Sequence, residues 1–305
     1  MNIQVVTTSI KRELWEFGNI LKWVPIVTAA LVILMPILIF MESNKTFSDA
    51  FQALTMFPAN FVSPEYIEMV PKLFFVTTLS LFAPFVAVAV IIQLYYFTVC
   101  LFDERRDMSV MFWRSLPVSD VVTIIAKLIT GALVIPAVFL GAATATLFIF
   151  LILGFVICII LSVGYDTSLW ALWIDSDILS GLALIWLHLL PFAVWMLPLF
   201  TWLMLASMFA KKAPFLWAIL PVAVVLLVEG FVVHYFHLSQ PFIGSLLLDY
   251  FSISKEFVSS IQGQDSFSRT VPLQALMSKL DITSIIAATG LLYGTYWLRV
   301  NKGEV

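Results

Sequence analysis

Long apolar runs, broken by short charged or proline-bearing stretches, dominate the chain. A helix that crosses a bilayer needs about 20 mostly apolar residues. Six stretches meet that length: Lys22–Met41, Leu73–Phe102, Leu128–Val163, Ser180–Ala210, Pro214–His237 and Ile282–Val300. The second is long enough to tilt or protrude. The third is too long for one crossing, so its start is expected to be an interfacial or cytoplasmic helix. The fold class expected is an all-α polytopic membrane protein with six transmembrane helices in a single domain over residues 1–305. Pro25, Pro36, Pro84, Pro136, Pro191, Pro198 and Pro221 fall inside these runs. Each reads either as a packing kink or as a hinge.

Composition agrees with the pattern. The 305 residues are 62% hydrophobic, with a mean hydropathy of +1.04, against about 45–50% apolar residues in soluble proteins. The N-terminal MNIQVVTTSIKRELWEFGNILKW lacks the basic start, apolar core and small-residue site of a cleavable signal peptide. The first apolar run is therefore expected to remain as a span. The two cysteines, Cys100 and Cys158, fall at opposite ends of their runs and read as ordinary packing residues.

The net charge of −3 says little, but its distribution says more. With a cytoplasmic N-terminus, the inside segments hold eleven basic residues: Lys11, Arg12, Lys22, Arg105, Arg106, Arg114, Lys127, Lys211, Lys212, Arg299 and Lys302. The outside segments hold five: Lys45, Lys72, Lys255, Arg269 and Lys279. The positive-inside rule then puts both termini in the cytoplasm, in a multi-pass protein of the cytoplasmic (inner) membrane.

Residues 3–22 form an amphipathic stretch. Ile10, Leu14, Phe17 and Leu21 recur at helical spacing, with Lys11, Arg12, Glu13 and Glu16 between them. This suits a helix lying in the membrane interface. The extracytoplasmic segments 42–72, 164–179 and 238–281 read as short interfacial helices and loops that cap the outer face.

Much chemistry is missing from the sequence. No G-x-x-x-x-G-K-[ST] loop is present to cradle a nucleotide phosphate. His234 and His237 share a spacing but have no third ligand nearby, a weak metal signal, so no metal site is expected. His188 lies in an apolar run, ALIWLHLLPF, and Glu229 in another, AVVLLVEGFVVH. An ionisable group in such a run faces the bundle interior or a cavity. Both are candidate gate or pathway residues, with a structural role as the plainer alternative: a satisfied core histidine for His188, an outer-end anchor for Glu229.

The stretch from Asp103 to Lys127 differs from the rest. It carries Asp103, Glu104, Arg105, Arg106, Asp107, Arg114, Asp120 and Lys127 in a chain that is 11% charged. The early acids favour a helix N-terminus. Met108, Met111, Phe112 and Ser115 share one helical face. Pro117 stops that helix, and Ser119 and Asp120 can cap the next. The expectation is a short cytoplasmic helix, a hard turn and a second helix. Asp103, Glu104, Arg105, Arg106, Met108, Met111, Phe112, Trp113, Arg114, Ser115, Leu116 and Pro117 are the candidate docking residues for a soluble partner. The plainer alternative is a helix lying on the membrane with its aromatics among the headgroups.

The string DERRDMSVMFWRSLPVSDVVTIIAKLIT resembles the cytoplasmic loop of type-2 ABC-transporter permeases, the membrane subunits of ABC exporters. The residues that carry the resemblance are Asp103, Glu104, Arg105, Phe112, Trp113, Ser115, Leu116, Pro117, Val118, Ser119 and Lys127. They span about a tenth of the chain. The resemblance implies a permease that pairs with a second copy, or with a related chain, and binds two ABC ATPase subunits. It implies that this loop holds the coupling helix seated on the ATPase. ATP and Mg would belong to that partner, and none is expected on this chain, which is then not itself an enzyme. The function expected is export of a hydrophobic or amphiphilic substrate from the cytoplasm or inner leaflet. Membrane lipids are expected partners and nucleic acid is not. The alternative is a non-transporting scaffold or sensor that recruits a cytoplasmic partner through 103–127. An intramembrane enzyme built on His188, Glu229 or the outer-face acids lacks a spelled-out nucleophile–base set or metal set.

Overall fold

The computed structural model describes residues 3–42, 46, 49, 52, 64–106, 119–165, 170, 173, 176–236, 241–252 and 271–302. Among them every regular element is a helix. Five are long and apolar enough to cross a membrane, or six if one bent pair is counted as a single span. The chain is thus a polytopic helical membrane protein. Its surface supports this. In the helix Pro214–Tyr235 only Ala218 is buried, while Phe215, Leu216, Leu227 and Phe231 are exposed. Apolar area of that extent needs a lipid or protein cover.

The helices, in chain order, are α1 Ile3–Glu16, α2 Gly18–Glu42, α3 Pro64–Val99, α4 Phe102–Arg106, α5 Asp120–Ile129, α6 Ile135–Gly164, α7 Ile178–Leu187, α8 Leu189–Trp195, α9 Leu197–Phe209, α10 Pro214–Tyr235, α11 Phe242–Phe251, α12 Val271–Ser278 and α13 Ile282–Lys302. A π-helical turn, Thr130–Val134, joins α5 to α6. The chain divides into two compact units. One comprises Met1–Glu16, Ile91–Ile135 and His188–Val305, and the other Phe17–Val90 and Pro136–Leu187.

Proline explains the breaks. In the run expected as one span, Ser180–Ala210, the structure has three helices, interrupted at His188 and Met196. Pro191 has no N–H for the Leu187 carbonyl, and Pro198 none for the Val194 carbonyl. The π turn has the same origin. The Ile135 amide bonds to the Thr130 carbonyl five residues back. The Gly131 carbonyl would next need the amide of residue 136, which is proline. Gln93 Nε2 fills the gap, donating to Gly131 O at 2.9 Å. Glycine is required there for a second reason. A Cβ on residue 131 would lie 2.3 Å from Phe97 Cζ, and Phe97 is itself stacked on Phe200 with centroids 4.5 Å apart. A turn often found at functional sites is here locked by one amide and two rings.

In the first unit α9 packs along α13 and against α10, and α1 packs on α5. α12 and α13 meet at a 65° bend. Ser119 caps α5 by accepting from the Val122 amide at 3.4 Å. In the second unit Trp186 Nε1 donates to Thr144 Oγ1 at 3.2 Å, and Trp173 Nε1 to Cys158 Sγ at 3.1 Å. Cys100 and Cys158 are both buried free thiols.

Candidate functional site

The first unit contains a feature unusual for so apolar a chain, a buried cluster of paired charges. It forms where α1, α4, α5 and α13 converge beside the end of α3. Lys127 on α5 is 1% exposed and sits in the run VVTIIAKLIT. A lone ammonium there is strongly disfavoured, so it must meet carboxylates. It meets two. Its Nζ lies 2.9 Å and 3.0 Å from the Glu13 oxygens and 3.1 Å from Glu104 Oε1. Glu13 also accepts from the Tyr96 hydroxyl at 2.9 Å and from Arg12 Nη2 at 2.6 Å. Glu104 receives Arg12 Nη2 at 3.1 Å and Arg299 Nη1 at 2.9 Å. Arg299 Nε reaches Asp120 Oδ1 at 2.7 Å.

Three cations, Arg12, Lys127 and Arg299, thus face three carboxylates, Glu13, Glu104 and Asp120. These six charges, among the described residues, balance one another, as burial favours. Glu16 sits at its rim, 3.4 Å from Arg12 Nε. Burial pushes the Glu16 carboxyl above its ordinary range, and the charge of Glu13 adds to the effect. For Arg12, burial opposes the charge. The hydrogen bond to Glu13 and the fields of Glu13, Glu104 and Glu16 outweigh it and raise the pKa.

The placement of these residues is the important point. Glu104 is on the last helix before residues 107–118, and Asp120 opens the first helix after them. Arg299, near the end of α13, holds both. Lys127 ties Glu104 to Glu13 on α1. Both ends of the segment expected to dock a partner are therefore fastened to one buried cluster.

The sequence-expected docking residues divide into groups. Glu104 is bound inside the cluster and is 6% exposed. Arg105 is also engaged within the chain. Its Nη2 donates to the Ser207 and Ala210 carbonyls at 2.9 Å and 2.7 Å, closing the C-terminus of α9. Ser207 Oγ in turn accepts from the Leu101 and Phe102 amides at 3.2 Å and 2.9 Å. Asp103 is half-buried and Arg106 is exposed. Met108, Met111, Phe112, Trp113, Arg114, Ser115, Leu116 and Pro117 lie outside the described residues.

The two intramembrane candidates part ways. Glu229 accepts from the Ile243 and Gly244 amides, the latter at 2.8 Å. Those are the second and third amides of α11, among the free donors of its first turn, so the carboxylate caps that helix. His188 marks the break before α8, with its carbonyl accepting from the Phe192 amide at 3.0 Å. It is half-buried, and its ring shares no cluster with Glu229 or with the charges around Lys127 among the interactions described. His237 lies outside the described residues.

Sequence reasoning placed Glu13 on the polar face of the N-terminal helix, whereas it is the most buried residue of α1. Lys127 was the available signal. A lysine seven residues into a capped, otherwise apolar helix requires a carboxylate from elsewhere in the chain.

Comparison with known proteins finds no family model, no curated protein and no solved structure that matches the chain.

Proposed function

We propose that the chain is the transmembrane permease subunit of an ATP-driven ABC exporter, powered by a separate ATPase subunit. Three lines support the reading. The string from Asp103 to Lys127 resembles the coupling loop of type-2 permeases. No phosphate-cradling loop occurs in the sequence, so energy would have to arrive through a contact. The third line carries the most weight: Arg299 holds Glu104 and Asp120, the residues that flank 107–118 on each side.

In this reading 107–118 contains a coupling helix that rests on the ATPase, with Met108–Leu116 as its inserted part. ATP and Mg bind in the partner. Closure of the ATPase dimer pushes on the coupling helix. The push reaches α13 through Arg299, and α1 through Lys127 and Glu13, because the cluster cannot slip without exposing unpaired buried charge. The spans then rock against a second permease copy and move a hydrophobic or amphiphilic substrate outward. α1 acts as the interfacial helix that reports on the cluster. The charge asymmetry supports an inner-membrane location with both termini in the cytoplasm.

The test is coupling in vesicles containing the full chain and its ATPase. Trp113→Ala and Arg114→Glu are expected to leave ATP hydrolysis present but no longer linked to substrate movement. Unchanged coupling in both variants, with partner binding intact, contradicts the docking claim. Partner binding with no substrate movement by the wild-type chain favours a scaffold instead.

A further inference from the structure

Beside the ends of α4, α9 and α10 lies an open pocket of about 690 Å3 lined mainly by Phe102, Arg105, Arg106, Lys211, Lys212 and Pro214. No carboxylate lines it among the described residues. Arg105 is fixed in its wall by the two α9 carbonyls, which use Nη2. Its Nε is buried and has no acceptor among the described residues. Lys211 and Lys212 are exposed on the turn that links α9 to α10. Ala213 closes this turn in the left-handed region with φ 48°, and Pro214 begins α10.

Apolar surface begins one residue further on. Phe215 is 61% and Leu216 60% exposed, and Ile219 and Leu220 continue the exposed face. Phe209 and Trp217 meet edge to face at 5.1 Å beside it. A small soluble anion would use the cations and leave this surface idle. A molecule with a phosphate and acyl chains would use both, with the phosphate among the basic groups and the chains along α10. The side is also suitable, since basic residues between spans on the cytoplasmic face attract anionic headgroups.

We propose that this pocket binds the phosphodiester headgroup of an anionic phospholipid, with Lys211 and Lys212 as its contacts beside the Arg105 guanidinium and the exposed face of α10 as the seat of the acyl chains. The site requires that α10 lies in a membrane with the α9–α10 turn on the cytoplasmic side, which rests on the charge asymmetry and not on the exporter reading. Its role would be to hold the α9–α10 turn at the bilayer surface, where Arg105 links that turn to α4.

The test titrates dioctanoyl phosphatidylglycerol into the full-length chain in neutral detergent and follows the thermal midpoint. Dioctanoyl phosphatidylcholine and inorganic phosphate are run in parallel. Saturable stabilisation by phosphatidylglycerol alone is expected. The double variant Lys211→Gln, Lys212→Gln should weaken half-saturation about thirty-fold, at about fivefold per lysine near a membrane surface. Both lysines are exposed, so the lipid-free midpoint should stay in place. An equal response to phosphatidylcholine overturns the proposal, and so does phosphate binding as tightly as phosphatidylglycerol, which would indicate a soluble anion. A double variant that binds phosphatidylglycerol like the wild type overturns it as well, and if that variant also fails to bind the partner ATPase, the lysines belong to a protein contact.

Discussion

Replacing Lys127 with methionine is expected to destabilise the chain by about 3–5 kcal/mol, the usual cost of removing one partner from a buried ion pair. Methionine fills nearly the same volume, so the loss is electrostatic and not a cavity effect. Among the ion pairs described, Lys127 Nζ reaches both Glu13 and Glu104, as Arg12 Nη2 does, but Lys127 is 1% exposed where Arg12 is 19% exposed. Without it two carboxylates on α1 and α4 face each other with only Arg12 and Arg299 to offset them. The check is the thermal midpoint of the purified chain in mild detergent, together with its yield as a monodisperse species. Adding Glu13→Gln to the variant removes one stranded charge and should recover part of the loss. A midpoint that Lys127→Met leaves unmoved would show that the cluster is not buried as described.

Arg299→Gln is expected to have the second large effect, this time on coupling. The substitution severs the bonds to Glu104 and Asp120, and with them a side chain that holds both flanks of 107–118 beside the direct Lys127–Glu104 pair. Hydrogen bonds to charged groups contribute about 1.5–3 kcal/mol each. Loss of even one, if it falls on the coupling step, corresponds to about a tenfold fall in the proposed linkage between ATP hydrolysis and substrate movement. The partner should still bind, because the proposed contact residues are untouched. Arg299→Lys keeps the charge but not the two-pronged geometry and should fall between. Equal loss of partner binding and of transport would place Arg299 in the docking surface, contrary to the account.

The membrane character of the chain was legible in the sequence for a simple reason. A segment that crosses a bilayer must satisfy its backbone internally and present apolar side chains outward. That leaves long uninterrupted runs such as the one in α10. Ser119 was legible as a cap because capping is local. The breaks at His188 and Met196 were half legible. Pro191 and Pro198 marked them, but proline alone does not say whether a helix bends or stops. The buried cluster was not legible as a unit. Glu13 and Lys127 are separated by 114 positions and Glu104 and Arg299 by 195, so no local pattern links them. Arg299 entered the sequence reading only through the charge asymmetry, although it is 3% exposed and its partners lie on two other helices. Glu104 and Arg105 read as exposed contact residues because they belong to a charged string, and a string does not reveal which of its members turn inward.

The account centres on the claim that this chain receives its energy from a separate ATPase. The most direct test is to purify the full-length chain from its native membrane under mild detergent and identify what remains bound. The account predicts a nucleotide-binding ATPase subunit in equal amount to this chain, with ATP hydrolysis in the complex. Recovery of the chain without any ATPase, in a preparation that still moves substrate in vesicles, would contradict it.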